Sequence, residues 1–188
     1  MTTAALFPGC ADAPPITVAT PETCCCDAAP AFIMRHGLFW SIVADIRVYG
    51  TPKGQPRPRA FARKMGQKFV ARVYDAGTAD GWKGEIALAV RPHLPATPLI
   101  GAVLVDAQFL FPRPQSLMRK KDPAGRIPHT GKPDIDNLSK AALDCFTSVG
   151  FFADDAQVCG GDLFKWYVAK DERPGAQIAV YRLEGGAV

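Results

Sequence analysis

The sequence predicts an α+β domain in which a mixed β-sheet is covered by two main helices, and three observations indicate this class. Predicted elements follow the order strand, strand, helix, strand, helix, strand, strand. Residues 100–111 alternate apolar and polar side chains as a half-buried strand does, and residues 135–149 repeat apolar side chains at steps of three and four, as an amphipathic helix does. With 188 residues, the chain is long enough for one domain with a full hydrophobic core.

Composition and charge narrow the class of protein. The formal net charge is +4, no window approaches the 18 apolar residues of a membrane span, and the N-terminus lacks a basic, then apolar, signal peptide pattern. We therefore expect a cytoplasmic protein that does not enter a membrane. Residues 1–32, rich in Ala, Pro and Cys, predict a flexible tail before a single domain at 33–188. Adjacent Cys24, Cys25 and Cys26 have no partner at a zinc-site spacing, which favours an incidental thiol-rich segment over a metal or redox site.

The first half of the chain predicts two strands and a helix. Leu38–Tyr49 is the first strand, and Phe69–Tyr74 follows a long basic loop as the second. A helix capped by Thr78 or Asp80 is predicted to end at Pro92. In the next strand, 100–111, Asp106 lies on the polar side, where a solvent-facing acid is the simpler interpretation and a further member of an acidic site is the alternative.

Two stretches concentrate positive charge. Residues 47–72 contain eight Lys or Arg and no acid, and residues 113–132 contain six Lys or Arg against one Asp. Charge of a single sign suits a phosphate backbone, although a solvated basic loop is the alternative. The second stretch is long for an idle connection, so we expect a mobile DNA-gripping loop that is ordered mainly on binding. It would carry His129 and Lys132 toward the acids that follow.

Those acids flank the second predicted helix. Pro133 suits a first helical turn, and the apolar face of the helix is followed by a stop at Gly150. Asp134 lies at the helix start, Asp136 and Lys140 are neighbours one turn apart, and Asp154 and Asp155 follow the helix.

Two carboxylates about 4 Å apart repel by about 4 kcal/mol at an effective dielectric near 20. Such a group takes up a proton, stays apart in solvent or holds a hard cation such as Mg²⁺ or Mn²⁺. Capping and a surface ion pair are the structural alternatives.

The acidic stretch also resembles a known family signature. Residues 132–140 read Lys-Pro-Asp-Ile-Asp-Asn-Leu-Ser-Lys and residues 150–158 read Gly-Phe-Phe-Ala-Asp-Asp-Ala-Gln-Val. This pattern resembles the RusA family of Holliday-junction resolvases, with an Asp-x-Asp-Asn-Leu-x-Lys helix start and an Asp-Asp-x-Gln-Val turn. The resemblance implies that Asp134, Asp136 and Asp155 bind Mg²⁺, with Mn²⁺ as a possible substitute, and that Lys140 is catalytic. It also implies a RusA-like fold and a homodimer.

The last part of the chain predicts two strands. Residues 156–170 form the first, with a bulge at Gly160–Gly161, and Ala176–Leu183 closes the sheet. Lys165 lies ten residues after Asp155, and its side chain is expected either to contact DNA or simply to be solvated. The side chains expected to contact DNA are Arg57, Arg59, Arg63, Lys64, Arg119, Lys120, Lys121, Lys132 and Lys165.

The resulting hypothesis is a Mg²⁺-dependent endodeoxyribonuclease that resolves four-way junctions by paired symmetric nicks, with 5′-phosphate ends. Three alternatives stay open: a nuclease for flap or other branched DNA in phage genome processing, a catalytically inactive DNA-binding protein, and a small-molecule phosphohydrolase. Intact Asp134, Asp136, Lys140 and Asp155 count against an inactive protein. The two basic stretches count against a small-molecule substrate.

Overall fold

The structure, a computed structural model, describes residues 32–56, 59–65, 68–74, 77 and 79–185. Most of the predicted tail therefore lies outside the described residues, as do Cys24, Cys25 and Cys26. The first described strand begins at Phe32, the last residue of the predicted tail, and the predicted boundary stays a prediction. No helix in these ranges combines the length and apolarity needed to cross a bilayer.

One mixed sheet organises the domain. Strands β1 (Phe32–Arg35), β2 (Leu38–Tyr49), β9 (Gly175–Leu183) and β5 (Val103–Phe111) are successive antiparallel neighbours. On its other side, β5 pairs in parallel with β7 (Val158–Gly160) and then with β8 (Leu163–Tyr167). The short β6 (Ile127–Pro128) completes the edge beside β8. The predicted α+β class with a mixed sheet and two helices is confirmed.

The core lies between one face of this sheet and both helices. Side chains at alternate positions of β2, β5 and β9 are buried against α1 (Asp80–Val90) and α2 (Ile135–Ser148). Helix α1 contributes Trp82, Ile86 and Val90, which share one face because they are four residues apart. Helix α2 contributes Leu138, Ala141, Ala142, Cys145 and Phe146. The spacing-based prediction of both helix faces is therefore confirmed in its main positions.

The end of α2 brings the chain back toward the helix. Gly150 has φ +79°, and the backbone N–H groups of Gly150 and Phe151 donate to Thr147 and Phe146, which is the Schellman arrangement. Phe151 and Phe152 are then buried beside Phe146, with ring centroids 5.2 and 6.0 Å away. This aromatic cluster holds residues 155–157, a single 3₁₀ turn, against α2.

Three segments differ from the sequence prediction. The interior of the predicted basic loop contains a strand, β3 (Arg59–Met65), which pairs with β4 (Lys68–Tyr74) in a separate hairpin. The predicted strand over 156–170 is two strands, because regular pairing with β5 is interrupted at Gly161 and Asp162. Short β1 and β6 were not predicted, since four and two residues carry too little periodicity.

Candidate active site

The first two acids lie at the start of α2, on the solvent side. Asp134 occupies the N-cap position with extended backbone angles, φ −69° and ψ 150°, yet its side chain caps no helical N–H group. Asp136 is exposed in the first turn. Carboxylates are favoured at this end of a helix because of its partial positive charge. Asp134 thus has the position of a cap while its carboxylate is directed elsewhere.

The adjacent acids Asp154 and Asp155 have different local roles. The Asp154 carboxylate accepts a hydrogen bond from Ala156 N at 2.7 Å, and Gln157 Oε1 accepts one from Asp154 N at 2.9 Å, which completes a capping box. Within the described part of the chain no hydrogen bond engages the Asp155 side chain, which is exposed. The capping role of Asp154 leaves Asp155 as the acid of this pair that faces outward.

Lys140 lies between two acids. Its ammonium donates to Asp144 Oδ1 at 3.1 Å, and the other Asp144 oxygen is 3.7 Å from Lys83 on α1. The bond to Asp144 and, to a smaller extent, the charge of Asp155 raise the pKa of Lys140. Sequence reasoning did not assign Asp144 to the site. The i, i+4 spacing from Lys140 was the available signal.

Two backbone contacts brace the start of α2. Gln55 N donates to Asn137 O at 2.8 Å, and a Cβ at Gly54 would lie 3.0 Å from Pro133 Cβ and 3.1 Å from Asn137 Cβ. On the other side, the Lys165 ammonium donates to the carbonyls of Gly131 and Pro133. An open cavity of about 500 Å³ lies beside this brace, lined by Gly54, Gln55, Pro56, Lys132, Pro133, Asp134 and Asn137.

His129 does not approach the acids as expected. It is 8% exposed, stacks on Phe111 at 4.3 Å between ring centroids and packs against Tyr167 at 4.6 Å. Its Nδ1 atom is buried without a hydrogen-bond partner among the described residues. Burial first, and then the nearby charge of Lys165, lower the pKa of the imidazole. The expectation that His129 reaches the site is wrong, because an aromatic pocket encloses it.

Asp106, the other acid considered for the site, has a different role. Its two carboxylate oxygens accept from the two terminal nitrogens of Arg35, each at 2.7 Å, and one oxygen also accepts from Asp162 N at 2.8 Å. It lines a cavity on the open face of the sheet with Asp45, Gln108 and Tyr181. A bidentate ion pair, rather than the acidic site, accounts for this aspartate.

The basic residues fall into two groups. In the linker after β5, Arg119, Lys120, Lys121 and Lys132 are exposed. Arg59, Arg63 and Lys64 lie on β3, and Arg57 lies outside the described residues. The prediction that these residues bind DNA is untested and stays a prediction.

The linker itself is folded on the protein. Arg113 donates to the carbonyls of Val168, Pro123 and Gly125, and the Lys170 ammonium donates to Arg119 O and Asp122 O, each at 2.8 Å. The loop expected to be ordered mainly by DNA is thus held by intramolecular bonds to β8 and its following turn.

The carboxylates suit a hard divalent cation in type but are not gathered around one. Among the described residues, no three His, Cys, Asp or Glu side chains form a group that could hold a metal ion as they stand. Asp134, Asp136 and Asp155 are nevertheless exposed oxygen donors, two of them at the start of the helix that carries Lys140 and the third acting by its charge on Lys140. Carboxylates repel one another, and a cation would offset this repulsion if rotamer changes brought the exposed side chains together. The donor chemistry therefore fits Mg²⁺ or Mn²⁺.

Comparisons with known proteins identify the family of this chain. The family model described as Endodeoxyribonuclease RusA matches residues 49–181. The chain is 31% identical over 138 residues to the protein YqaN of Bacillus subtilis (strain 168). The aligned segment covers 71% of this chain and 92% of YqaN. It is 45% identical over 47 residues to the crossover junction endodeoxyribonuclease RusA of Escherichia coli (strain K12), across 25% of this chain and 39% of that enzyme. The chain therefore belongs to the RusA endodeoxyribonuclease family.

Proposed function

We propose that this protein is a Mg²⁺-dependent, structure-specific endodeoxyribonuclease that resolves four-way DNA junctions by paired symmetric nicks. Membership of the RusA family supports a nuclease, and the activity for which the Escherichia coli relative is named supports a DNA junction as the substrate. One observation carries the assignment of the site. Asp154 is used as a cap, whereas the exposed Asp155 acts by its charge on Lys140, and Asp134 and Asp136 are exposed at the start of the helix that carries this lysine.

Asp134, Asp136 and Asp155 would hold the cation, with Mn²⁺ as a substitute. When bound, the ion supplies Lewis-acid polarisation of the scissile phosphate and activation of water for in-line attack. Attack breaks the bond between phosphorus and the 3′ oxygen, so the products carry a 5′-phosphate and a 3′-hydroxyl. The acids would supply the negative charge that makes the site selective for a cation.

Lys140 would stabilise the negative charge that develops on the phosphate oxygens. A preorganised cation near that charge is worth more in the transition state than in the ground state. In the DNA-free protein, this ammonium is paired with Asp144, one helical turn after Lys140, and Asp136 lies one turn before Lys140 on the same helix. Substrate phosphate would then compete with Asp144 for the same donor.

The exposed basic side chains would contact the DNA backbone. The candidates are Arg119, Lys120, Lys121 and Lys132 in the linker before α2 and, in the first basic stretch of the sequence, Arg57, Arg59, Arg63 and Lys64. Two symmetric nicks require two sites related by a two-fold axis, so the proposal includes a homodimer.

The test compares a synthetic four-way junction with a linear duplex and a flap, in Mg²⁺ and in EDTA. Wild type should make paired nicks in the junction, and Asp136→Asn should lose at least about 100-fold in rate while it still binds junction. Asp45→Asn, an exposed acid on the other face of the sheet, is the matched control. Flap cutting with little junction cutting would transfer the assignment to flap processing. Binding without cleavage in any divalent metal would refute the nuclease.

A further inference from the structure

We infer that Lys165 is a positioning residue of the nuclease site, whose ammonium holds the backbone that presents Asp134. The inference rests on the proposed function, in which Asp134 is a metal ligand. It replaces the sequence-based expectation of a DNA contact with a role inside the protein.

Three hydrogen bonds connect Lys165 to alternate residues immediately before Asp134. Lys165 Nζ donates to Gly131 O at 2.7 Å and to Pro133 O at 2.9 Å. The backbone carbonyl of Lys165 accepts from His129 N at 3.0 Å. Lys165 on β8 therefore holds the connection between β6 and α2, although it lies more than thirty positions later in the sequence than these carbonyl groups.

The direction of the Lys165 side chain follows from its place on β8. Leu163 and Tyr167 on the same strand pack against the core, and alternation puts Lys165 on that face as well. Phe164, on the opposite face, is exposed. Lys165 thus points toward the start of α2.

This connection has few means of fixing itself. Proline has no N–H group and glycine has no side chain, so residues 131 and 133 offer carbonyls but little else. Asp134 does not cap the helix that it begins. The direction of the Asp134 Cα–Cβ bond, from which the carboxylate extends, is therefore set by what holds the backbone on either side. Lys165 holds the preceding residues, and Gln55 N holds Asn137 O.

The geometry of the ammonium also separates this role from phosphate binding. An ammonium has three donors, and two of them are engaged by carbonyls of the protein. Lys132, by contrast, is exposed and lines the cavity next to Asp134. It carries the same charge near the same acids without holding this backbone, and Lys132→Met is the matched control.

The first measurement is Mn²⁺ affinity of the DNA-free protein, read from the electron paramagnetic resonance signal of the free ion. Lys165→Met should weaken Mn²⁺ binding about 10-fold, the lower end of the usual effect of losing a group that orients a metal ligand. Removal of a cation near the acids would by itself tighten binding, so weakening distinguishes lost positioning from changed charge. Lys132→Met should not weaken it. Unchanged or tighter Mn²⁺ binding in folded Lys165→Met would overturn the inference.

The second measurement is junction binding in EDTA over a range of salt concentrations. Lys165→Met should keep the slope of log K against log salt, whereas Lys132→Met should reduce its magnitude by about 0.9, the value for one lost phosphate contact. A reduced magnitude of this slope in Lys165→Met would overturn the inference in favour of a DNA contact.

Two further comparisons keep the outcome decisive. Lys165→Arg retains the charge, but a planar guanidinium does not reproduce the two bonds of the ammonium, so Mn²⁺ binding should weaken here too. If Lys165→Met does not fold, Lys165→Arg decides the question by the same readout. If wild type cuts no DNA, the proposed function fails, while the Mn²⁺ comparison still tests the role of Lys165.

Discussion

At the scale of single residues, the adjacent acids Asp154 and Asp155 show how local hydrogen bonding divides a repeated residue type. The Asp154 carboxylate is committed to its own turn through Ala156 N, whereas the Asp155 side chain is exposed and its charge acts on Lys140. Two identical side chains one position apart therefore face different surroundings. Stability should depend on the first and activity on the second.

Paired substitutions test this division. Asp154→Ala should lower the free energy of unfolding by about 1 kcal/mol, the usual cost of a lost cap, and retain Mn²⁺-dependent cleavage. Asp155→Ala should leave unfolding nearly unchanged and reduce cleavage at least about 100-fold. Urea unfolding and junction cleavage, measured on the same preparations, check both expectations. A cleavage loss that is equal in the two variants would contradict the assignment of Asp155.

At the scale of elements, the interruption between β7 and β8 determines where the second strand points. Gly161 has φ +145°, and a Cβ there would lie 1.9 Å from the carbonyl oxygen of Val105. On the far side of the step, Ala107 N donates to Asp162 O at 2.9 Å and parallel pairing with β5 resumes at Leu163. Glycine at 161 thus allows the backbone to pass β5 closely before Lys165 is reached.

A pair of glycine substitutions tests this close approach. Gly161→Ala should lower the free energy of unfolding by at least about 3 kcal/mol, because an unfavourable φ and a collision with backbone act together. Gly84→Ala, in the middle of α1 with nothing within 4 Å of the added Cβ, should instead raise it by about 0.5–1 kcal/mol. Chemical denaturation of both variants checks the predicted direction of each change in the free energy of unfolding. A mild effect at Gly161 would show that the strand can shift without cost.

At the scale of the whole molecule, the face of the sheet opposite the helices is joined by ion pairs. Glu172, in the turn before β9, accepts from Arg126 at 2.6 and 2.9 Å and from Arg47 of β2 at 3.0 Å. Arg126 also donates to Gln108 of β5 at 2.6 Å. The linker, the last turn and β2 therefore meet at the Glu172 carboxylate, and Arg126 connects this group to β5. The bond from Arg126, followed by that from Arg47, lowers the pKa of Glu172 to about 2.

This depressed pKa predicts a specific dependence of stability on pH. The contribution of Glu172 is present above its ordinary pKa of 4.5 and is lost as the pH falls toward about 2. With allowance for solvent screening, it is on the order of 2 kcal/mol at pH 7. Glu172→Gln should therefore be less stable than wild type at pH 7, and the gap should narrow between pH 4.5 and 2. Thermal unfolding across this range measures the difference in stability between wild type and Glu172→Gln. A difference that does not vary with pH would contradict the role of the ion pairs.

Sequence patterns were informative wherever the signal was local. The apolar steps of α2, the stop at Gly150, the alternation in β5 and the family signature at 132–158 are all properties of nearby residues, and hydrogen bonding in helices and turns is local too. The α+β class and the family followed from them. The β3–β4 hairpin was missed because high positive charge conceals strand alternation in residues 59–65.

What only the tertiary structure decided is which distant groups meet. His129 and Asp106 were candidates for the site because their chemistry allowed it, and folding enclosed one between Phe111 and Tyr167 and paired the other with Arg35. Lys165 was expected to contact DNA, with plain solvation as the alternative, and folding brought it to Gly131 and Pro133. The sequence by itself determined the residue types of the acidic motif and the helix that carries it. Contacts across thirty or more positions depend on how sheet and helices pack, which no local pattern encodes.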